Sequence, residues 1–300
     1  MLAEQKAADS SSAGGTKPNA VAVEPLFNIM KKMNREKKQI LLSNDDGIDS
    51  PGLWAAAEAL SELGFVTVTA PRDHMSATGR GHQRHTDGRI TRKKLTVRGQ
   101  EWDVFAISGS PSQSVLHGIL ELAERKPDLV VSGINFGENL GTDITYSGTV
   151  GAAIEAASLG IPALAMSQQI LKEEWDSFHK DVDFSTSAYF TTYFARLLLD
   201  KEMPEDVDVL NVVVPAGATP ETPWKVTRQA KVRYFHPYII REGDMEGEAR
   251  ITSHILKDEE IPPDNDIYTV RIEKKVAVVP ISIDLTSRVD LEELEGFLRR

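Results

Sequence analysis

The chain has 300 residues, 41% of them hydrophobic, with a formal net charge of −11 and a pI near 5.2. That length supplies a substantial core, and the acidic balance excludes broad electrostatic binding to nucleic acid, which relies on clustered Lys and Arg. The absence of cysteine excludes disulfides, thiolate nucleophiles and Cys-ligated zinc, and sets the cytoplasm as the expected compartment.

No stretch reaches the ~18 apolar residues of a spanning helix, and the start lacks a basic-then-apolar signal, so no membrane anchoring is expected. Residues 1–36 include a run of Ser, Ala, Gly, Lys and Pro from Ser10 to Pro18 that buries too little apolar area to offset ordering entropy, and they read as a disordered tail. Within them, Val21 to Met33 carries enough Val, Leu, Phe and Met to dock on the body. Residues 37–300 read as a single α/β domain.

From Gln39 onward, short apolar runs alternate with segments of helical period, the pattern of a Rossmann-like, mostly parallel sheet with helices on both faces. Ile40 to Leu42 is a predicted buried strand. Ser50-Pro51 then opens a helix as N-cap and first helical position, carrying Leu53, Trp54, Ala57, Leu60 and Leu63 at helical spacing. Phe65 to Ala70 is a second strand, Leu95 to Ile107 a hairpin around Arg98-Gly99, and Ser110-Pro111 a further helix start. Asp128 to Val131 is a strand, with Ser132 to Gly137 read as the loop after it.

Thr149 to Leu159 is a predicted small-residue helix that Gly160 ends. Ile161 to Met166 and Val207 to Val214 are strands, with an apolar-striped helix over Thr186 to Leu199 between them. The stretch 224–266 has Pro, Gly, charges and short β-like runs, the texture of arms or hairpins. Ile267 to Ile281 reads as β-rich and Leu291 to Leu298 as a short charged helix.

The densest chemical signal is Leu41-Leu42-Ser43-Asn44-Asp45-Asp46-Gly47, a buried strand running into two carboxylates. In an open α/β sheet, ligands bind beyond the carboxyl ends of the strands. Adjacent carboxylates repel, and a divalent cation holds them together. An acidic turn accommodates the same residues, since Asn, Asp and Gly favour turns. Two further strand ends offer neutral oxygens, with Ser76 after the second strand and Asn135 after the Asp128 strand. Two carboxylates, a hydroxyl and an amide oxygen suit a hard ion such as Mg²⁺ or Mn²⁺.

Tyr146-Ser147-Gly148-Thr149 stands where a helix begins, as an anion site or a plain N-cap. Ser108 to Pro111 admits the same two readings. His82-Gln83-Arg84-His85 has a metal-compatible spacing but lies in a Gly- and Arg-rich stretch and reads as a solvated loop. Arg80, Arg84 and Arg89 there are either ordinary surface charge or an aid in gathering a phosphate.

These residues resemble the SurE family of survival proteins, which are 5′/3′-nucleotidases. The resemblance spans about Gln39 to Asp284. It is carried by Leu41 to Gly47, by Val131-Ser132-Gly133-Ile134-Asn135 onward to Ser147-Gly148-Thr149, and by Thr227-Arg228-Gln229 and Ile281 to Thr286. It implies one divalent ion per subunit, Mg²⁺ or Mn²⁺, on Asp45, Asp46, Ser76 and Asn135. Asp45 and Asp46 would be the catalytic groups, with Asn44, Ser147, Gly148 and Thr149 on the substrate phosphate.

It further implies hydrolysis of nucleoside 5′- and 3′-monophosphates, with short polyphosphate as a second substrate. The segment 224–266 would exchange between subunits as arms of a homodimer or homotetramer. The sequence departs from the family pattern at Ser110, in the basic loop Ser76 to His82, and at Glu138 within a Gly- and Asn-rich segment. A phosphatase of another small phosphorylated metabolite and a non-enzymatic nucleotide-binding module are the rival readings.

Overall fold

The computed structural model describes residues 37–171 and 182–300; the expected tail over 1–36 lies outside the described residues. Strand β1 (Lys38–Ser43) is buried at every position after Lys38, as a strand covered on both faces must be, and so its middle, Ile40 to Leu42, is a continuous apolar run. Helix α1 (Pro51–Leu60) follows with Pro in its first turn. Ser50 has the extended backbone of an N-cap, yet its side chain makes no capping hydrogen bond and its buried hydroxyl has no partner among the described residues. The expected cap is therefore one of backbone geometry.

Next come β2 (Gly64–Pro71) and the hairpin of β3 (Ile90–Val97) and β4 (Gln100–Ile107). Arg98 and Gly99, both at positive φ, form its two-residue turn. The hairpin begins five residues before the predicted start at Leu95, because Ile90 to Lys94 carry charges on an edge strand where one side meets solvent. Helix α2 (Pro111–His117) starts with a capping box: Ser110 accepts from the Gln113 amide, and Gln113 returns to the Ser110 amide. Of the two readings of Ser108 to Pro111, the structure takes the cap.

Strand β5 (Leu129–Phe136) continues through the expected loop, so Asn135 sits in the strand's last turn of pleat. A register shift against its neighbour falls between Ser132 and Asn135. At Gly133, φ is +132° and a Cβ would lie 2.3 Å from Met166 O, a conformation and an approach that only glycine tolerates. The chain proceeds through α3 (Gly148–Ser158), β6 (Ala163–Gln168), α4 (Ser185–Asp200), β7 (Val209–Val214) and β8 (Trp224–Val226). A second hairpin of β9 (Phe235–Arg241) and β10 (Ala249–Ile255) precedes α5 (Asp266–Arg271), β11 (Val276–Ile281) and α6 (Leu291–Leu298).

The main sheet runs β3-β4-β2-β1-β5-β6-β7-β11-β8. Its centre, from β2 to β7, is parallel. Antiparallel pairs occur toward the edges, β3 with β4 and β11 with β7. Helices α1 and α4 cover one face, packing Leu53, Leu60, Phe190 and Phe194 on Leu42, Val131 and Met166. Helix α3 lies on the other face, with Val150, Ala153 and Ala156 against Leu41, Val130 and Ala165. Its small residues allow close approach: a Cβ on Gly151 would fall 2.4 Å from the Gly79 backbone.

Two expectations for the C-terminal third are corrected. Trp224–Val226 pairs in parallel with β11 inside the main sheet, so the start of the predicted arm is sheet edge; the separate two-stranded unit is β9–β10. The stretch from Ile267 holds a helix before its strand, because Asn265 caps the Tyr268 amide and starts α5.

Candidate active site

Strand β1 leaves the sheet at Ser43, between β2 on one side and β5 on the other, where the chain order reverses and a crevice forms. Asn44 closes the turn: its Nδ2 donates to Gly47 O at 3.0 Å and the Gly47 amide donates to its Oδ1 at 3.2 Å. Both ends of this amide, expected on the phosphate, are thus engaged within the turn. Gly47 has φ +97° and its α-carbon faces the Asp73 backbone, which a Cβ would meet at 3.3 Å. The motif is an acidic turn and a pair of acids set at a strand end together.

Asp45 is buried against the start of α3. Its Oδ1 accepts from the Thr149 hydroxyl at 2.6 Å, and the Thr149 amide adds a second donor. Its carbonyl accepts from the Met75 amide at 2.7 Å, which brings the loop after β2, and with it Ser76, to the same edge. Asp46 Oδ2 accepts from the Phe136 amide at 2.9 Å, tying it to the end of β5 one residue from Asn135. Asn135 Nδ2 donates to Gly137 O at 2.7 Å, which orients the side chain and leaves Oδ1 as the atom that could face an ion.

Burial pushes the Asp45 carboxyl above the usual carboxylate range, opposed by the Thr149 hydroxyl and the charge of His74. Asp46 is pushed well above that range, first by burial and then by the neighbouring Asp45 charge, with the Phe136 amide opposing. A buried acid beside a partly exposed one, the second held protonated in part by the charge of the first, forms a site that a cation would relieve. Among the described residues no group of three or more His, Cys, Asp or Glu is placed to hold a metal. An ion here would take two carboxylates with neutral oxygens, the donor set of a hard cation. Asp45 Oδ2, Asp46 Oδ1, Asn135 Oδ1 and the exposed Ser76 hydroxyl fit that description.

Ser147 is the N-cap of α3, its hydroxyl accepting from the Val150 amide at 3.1 Å. The hydroxyl keeps its own proton to donate and the Gly148 amide has no intrahelical partner, donors that could serve an anion site. Gly148 is packed on Asp45: a Cβ there would stand 2.7 Å from the carboxylate. The structure therefore brings Asp45, Asp46, Ser76, Asn135, Ser147, Gly148 and Thr149 to one edge.

Sequence reasoning missed three contributors: the Phe136 amide, the Thr149 link to Asp45, and His74, whose Nε2 contacts the Ser76 hydroxyl. Backbone donors and long-range partners leave no motif. The loop Ser76 to Arg89 is pinned to the body, since Glu155 of α3 receives Arg80 Nε at 2.5 Å and lies 3.4 Å from His82 Nε2. Arg80 also donates to Ser158 at 2.8 Å, and Arg89 lies 3.7 Å from Asp87. A groove of about 860 Å³ between α1 and α4, lined by Glu58, Arg98, Tyr189 and Arg196, contains none of the candidate residues.

The family model for Survival protein SurE matches residues 40–236. The 5′-nucleotidase SurE of Thermococcus gammatolerans is 44% identical over 262 residues, covering 87% of this chain and 96% of that protein. The chain belongs to the SurE family. The 5′-nucleotidase SurE of Thermococcus kodakarensis is 42% identical over 260 residues, 87% of this chain and 98% of that one. The crystal structure of the SurE protein from Aquifex aeolicus superposes with a TM-score of 0.69 at 33% identity, covering 87% of this chain and all of that one, 100%. Every candidate residue of this SurE-family chain falls within the matched span 40–236, whereas most of the β9–β10 hairpin lies beyond it.

Proposed function

We propose that the chain hydrolyses nucleoside 5′- and 3′-monophosphates to nucleoside and phosphate, with one Mg²⁺ or Mn²⁺ per subunit held by Asp45, Asp46, Ser76 and Asn135. The observation that carries this reading is the Asp45–Asp46 pair at the switch point of a SurE-family sheet, with Asp45 buried against the start of α3 and Asp46 half-buried against the end of β5. A bound divalent ion supplies charge neutralisation at the phosphoryl oxygens and lowers the cost of bringing an anionic ester to two acids.

The chain's own residues supply the rest. The Ser147 hydroxyl and the Gly148 amide donate to the phosphate, and the positive end of α3 favours the anion. Thr149 serves Asp45, fixing the orientation of that carboxylate. One of the two acids orients the attacking water and takes its proton as the phosphorus–oxygen bond to the nucleoside breaks, and the leaving nucleoside oxygen takes a proton from solvent.

The β9–β10 hairpin exposes Tyr238, Ile239, Ile240 and Ile251, and α6 exposes Leu291, Phe297 and Leu298. Apolar surface of that extent favours coverage by a second copy, so the assembly is a homodimer or homotetramer built through these segments, and light scattering on the purified chain tests it. No described helix is long and apolar enough to cross a membrane.

The deciding experiment is phosphate release from a panel of nucleoside monophosphates and sugar phosphates with Mg²⁺, Mn²⁺ or chelator. A nucleotidase shows its highest kcat/KM on nucleotides and none with chelator. Equal rates on sugar phosphates would move the assignment to another metabolite. Tight metal-free nucleotide binding without turnover would make the chain a binding module.

A further inference from the structure

Between the candidate ligand Asn135 and the helix start at Ser147 the chain runs through residues 136–146, and this stretch is gripped along its length by residues 229–235. The Tyr234 hydroxyl donates to Glu138 Oε1 at 2.6 Å. Asp143 Oδ2 accepts from the Tyr234 and Phe235 amides at 3.0 and 2.6 Å. The Thr142 amide donates to Val232 O at 3.0 Å and Gln229 Nε2 to Gly141 O at 3.1 Å. Asp266 joins both strips, accepting from the Gly141 amide on one oxygen and the Ala230 amide on the other, each at 2.9 Å. Arg271 donates to the Tyr234 hydroxyl at 3.0 Å and to Asp258 at 2.6 Å.

Glu138, Asp143, Tyr234 and Asp266 are all buried. Burying carboxylates is costly unless each is hydrogen-bonded. Three on one junction, each bonded across it, specify the path of residues 136–146 far more tightly than a connecting loop requires. Both ends of that path carry site residues: Asn135 and the Phe136 amide that holds Asp46 at one end, Ser147 to Thr149 at the other.

We propose that Tyr234 and Asp143 are positioning residues of the active site, fixing through residues 136–146 the placement of Asn135 and of the α3 start. The inference rests on the metal and phosphate roles assigned above. It connects the foot of the β9 hairpin to the chemistry, since Phe235 is both the first residue of β9 and a donor to Asp143.

The test uses the full chain stripped of metal, with Mn²⁺ titrated calorimetrically, kcat and KM measured on a nucleoside monophosphate, and Tm recorded. Asp143→Asn keeps an oxygen to accept both amides; Asp143→Ala removes it, and Tyr234→Phe removes the hydroxyl shared by Glu138 and Arg271. Asp143→Ala and Tyr234→Phe should each weaken Mn²⁺ binding about tenfold, the usual scale for groups that hold a ligand in place, and lower kcat. Asp143→Asn should restore most of both. Leu198→Ala, in the core at the far end of α4, should lower Tm without changing Mn²⁺ affinity.

Unchanged Mn²⁺ affinity and kcat in a folded Tyr234→Phe protein overturns the proposal, and that variant decides alone if Asp143→Ala does not fold. A wild-type chain that neither binds Mn²⁺ nor releases phosphate overturns the functional reading and this proposal with it. The wild-type arm separates the two failures.

Discussion

The Thr149 hydroxyl donates to Asp45 Oδ1 at 2.6 Å, joining the turn after β1 to the first turn of α3 across the crevice. The bond is buried and its acceptor is a carboxylate, so it belongs to the stronger class of protein hydrogen bonds. Thr149→Val keeps the branched shape and removes the donor. A loss of about 1–3 kcal/mol is expected for a buried acceptor left without its partner, read as a fall in kcat/KM of tenfold or more. Thr149→Ser should restore most of the rate. Near-normal kcat/KM in Thr149→Val would remove Thr149 from the mechanism.

Gly148 gives a steric prediction. A Cβ at this position would lie 2.7 Å from Asp45 Oδ2 and from Asp45 Cβ, closer than side chains pack. Gly148→Ala should displace the carboxylate, abolish most phosphate release and weaken Mn²⁺ binding while the protein stays folded. Gly296→Ala in α6 meets nothing within 4 Å among the described residues and should leave both unchanged. A fully active Gly148→Ala enzyme would mean that Asp45 does not need its observed place.

The central strands were legible because a sheet covered on both faces writes its strands as apolar runs, as in Ile40 to Leu42 and Leu129 to Val131. The position of the two acids followed from that, since a strand end in such a sheet is where ligands bind. Asn135 is a different case. Its strand continues past a polar stretch through a glycine at φ +132°, and no periodicity reports a strand that bends around a neighbour. The carboxylates Glu138, Asp143 and Asp266 look like surface charge in sequence; their burial depends on amide partners up to 125 residues away. Ser50 shows the limit of local rules, with a cap residue in cap geometry whose hydroxyl bonds to nothing among the described residues.

Arg80 was a candidate for gathering phosphate, but its guanidinium is committed to Glu155 and Ser158 on α3. Glu155 is 6% exposed in its side chain while Arg80 is 46% exposed, so removing the arginine leaves the acid with His82 as its remaining ion partner. Arg80→Met should lower stability by about 1–3 kcal/mol, measured by urea unfolding, and Arg84→Met should change it little. A stability loss confined to Arg84→Met would contradict the pinned-loop description.

The pH dependence of metal stabilisation follows from the raised carboxyls. Asp45 and Asp46 hold their protons to higher pH in the folded, metal-free chain than when unfolded. Their contribution to folding stability is therefore complete below the ordinary Asp value near 3.9 and is lost as pH rises through the folded values. A divalent ion reverses the balance by binding the ionised pair, in competition with protons. Thermal scans from pH 5 to 8 should show the Tm increment on adding Mn²⁺ growing with pH, because fewer protons must be displaced. Asp46→Asn removes the charge that burial and Asp45 oppose, so its metal-free Tm at neutral pH should equal or exceed that of the wild type, while its Mn²⁺ increment is largely lost. An increment that is constant across pH, or retained in Asp46→Asn, would place the ion elsewhere than on this pair.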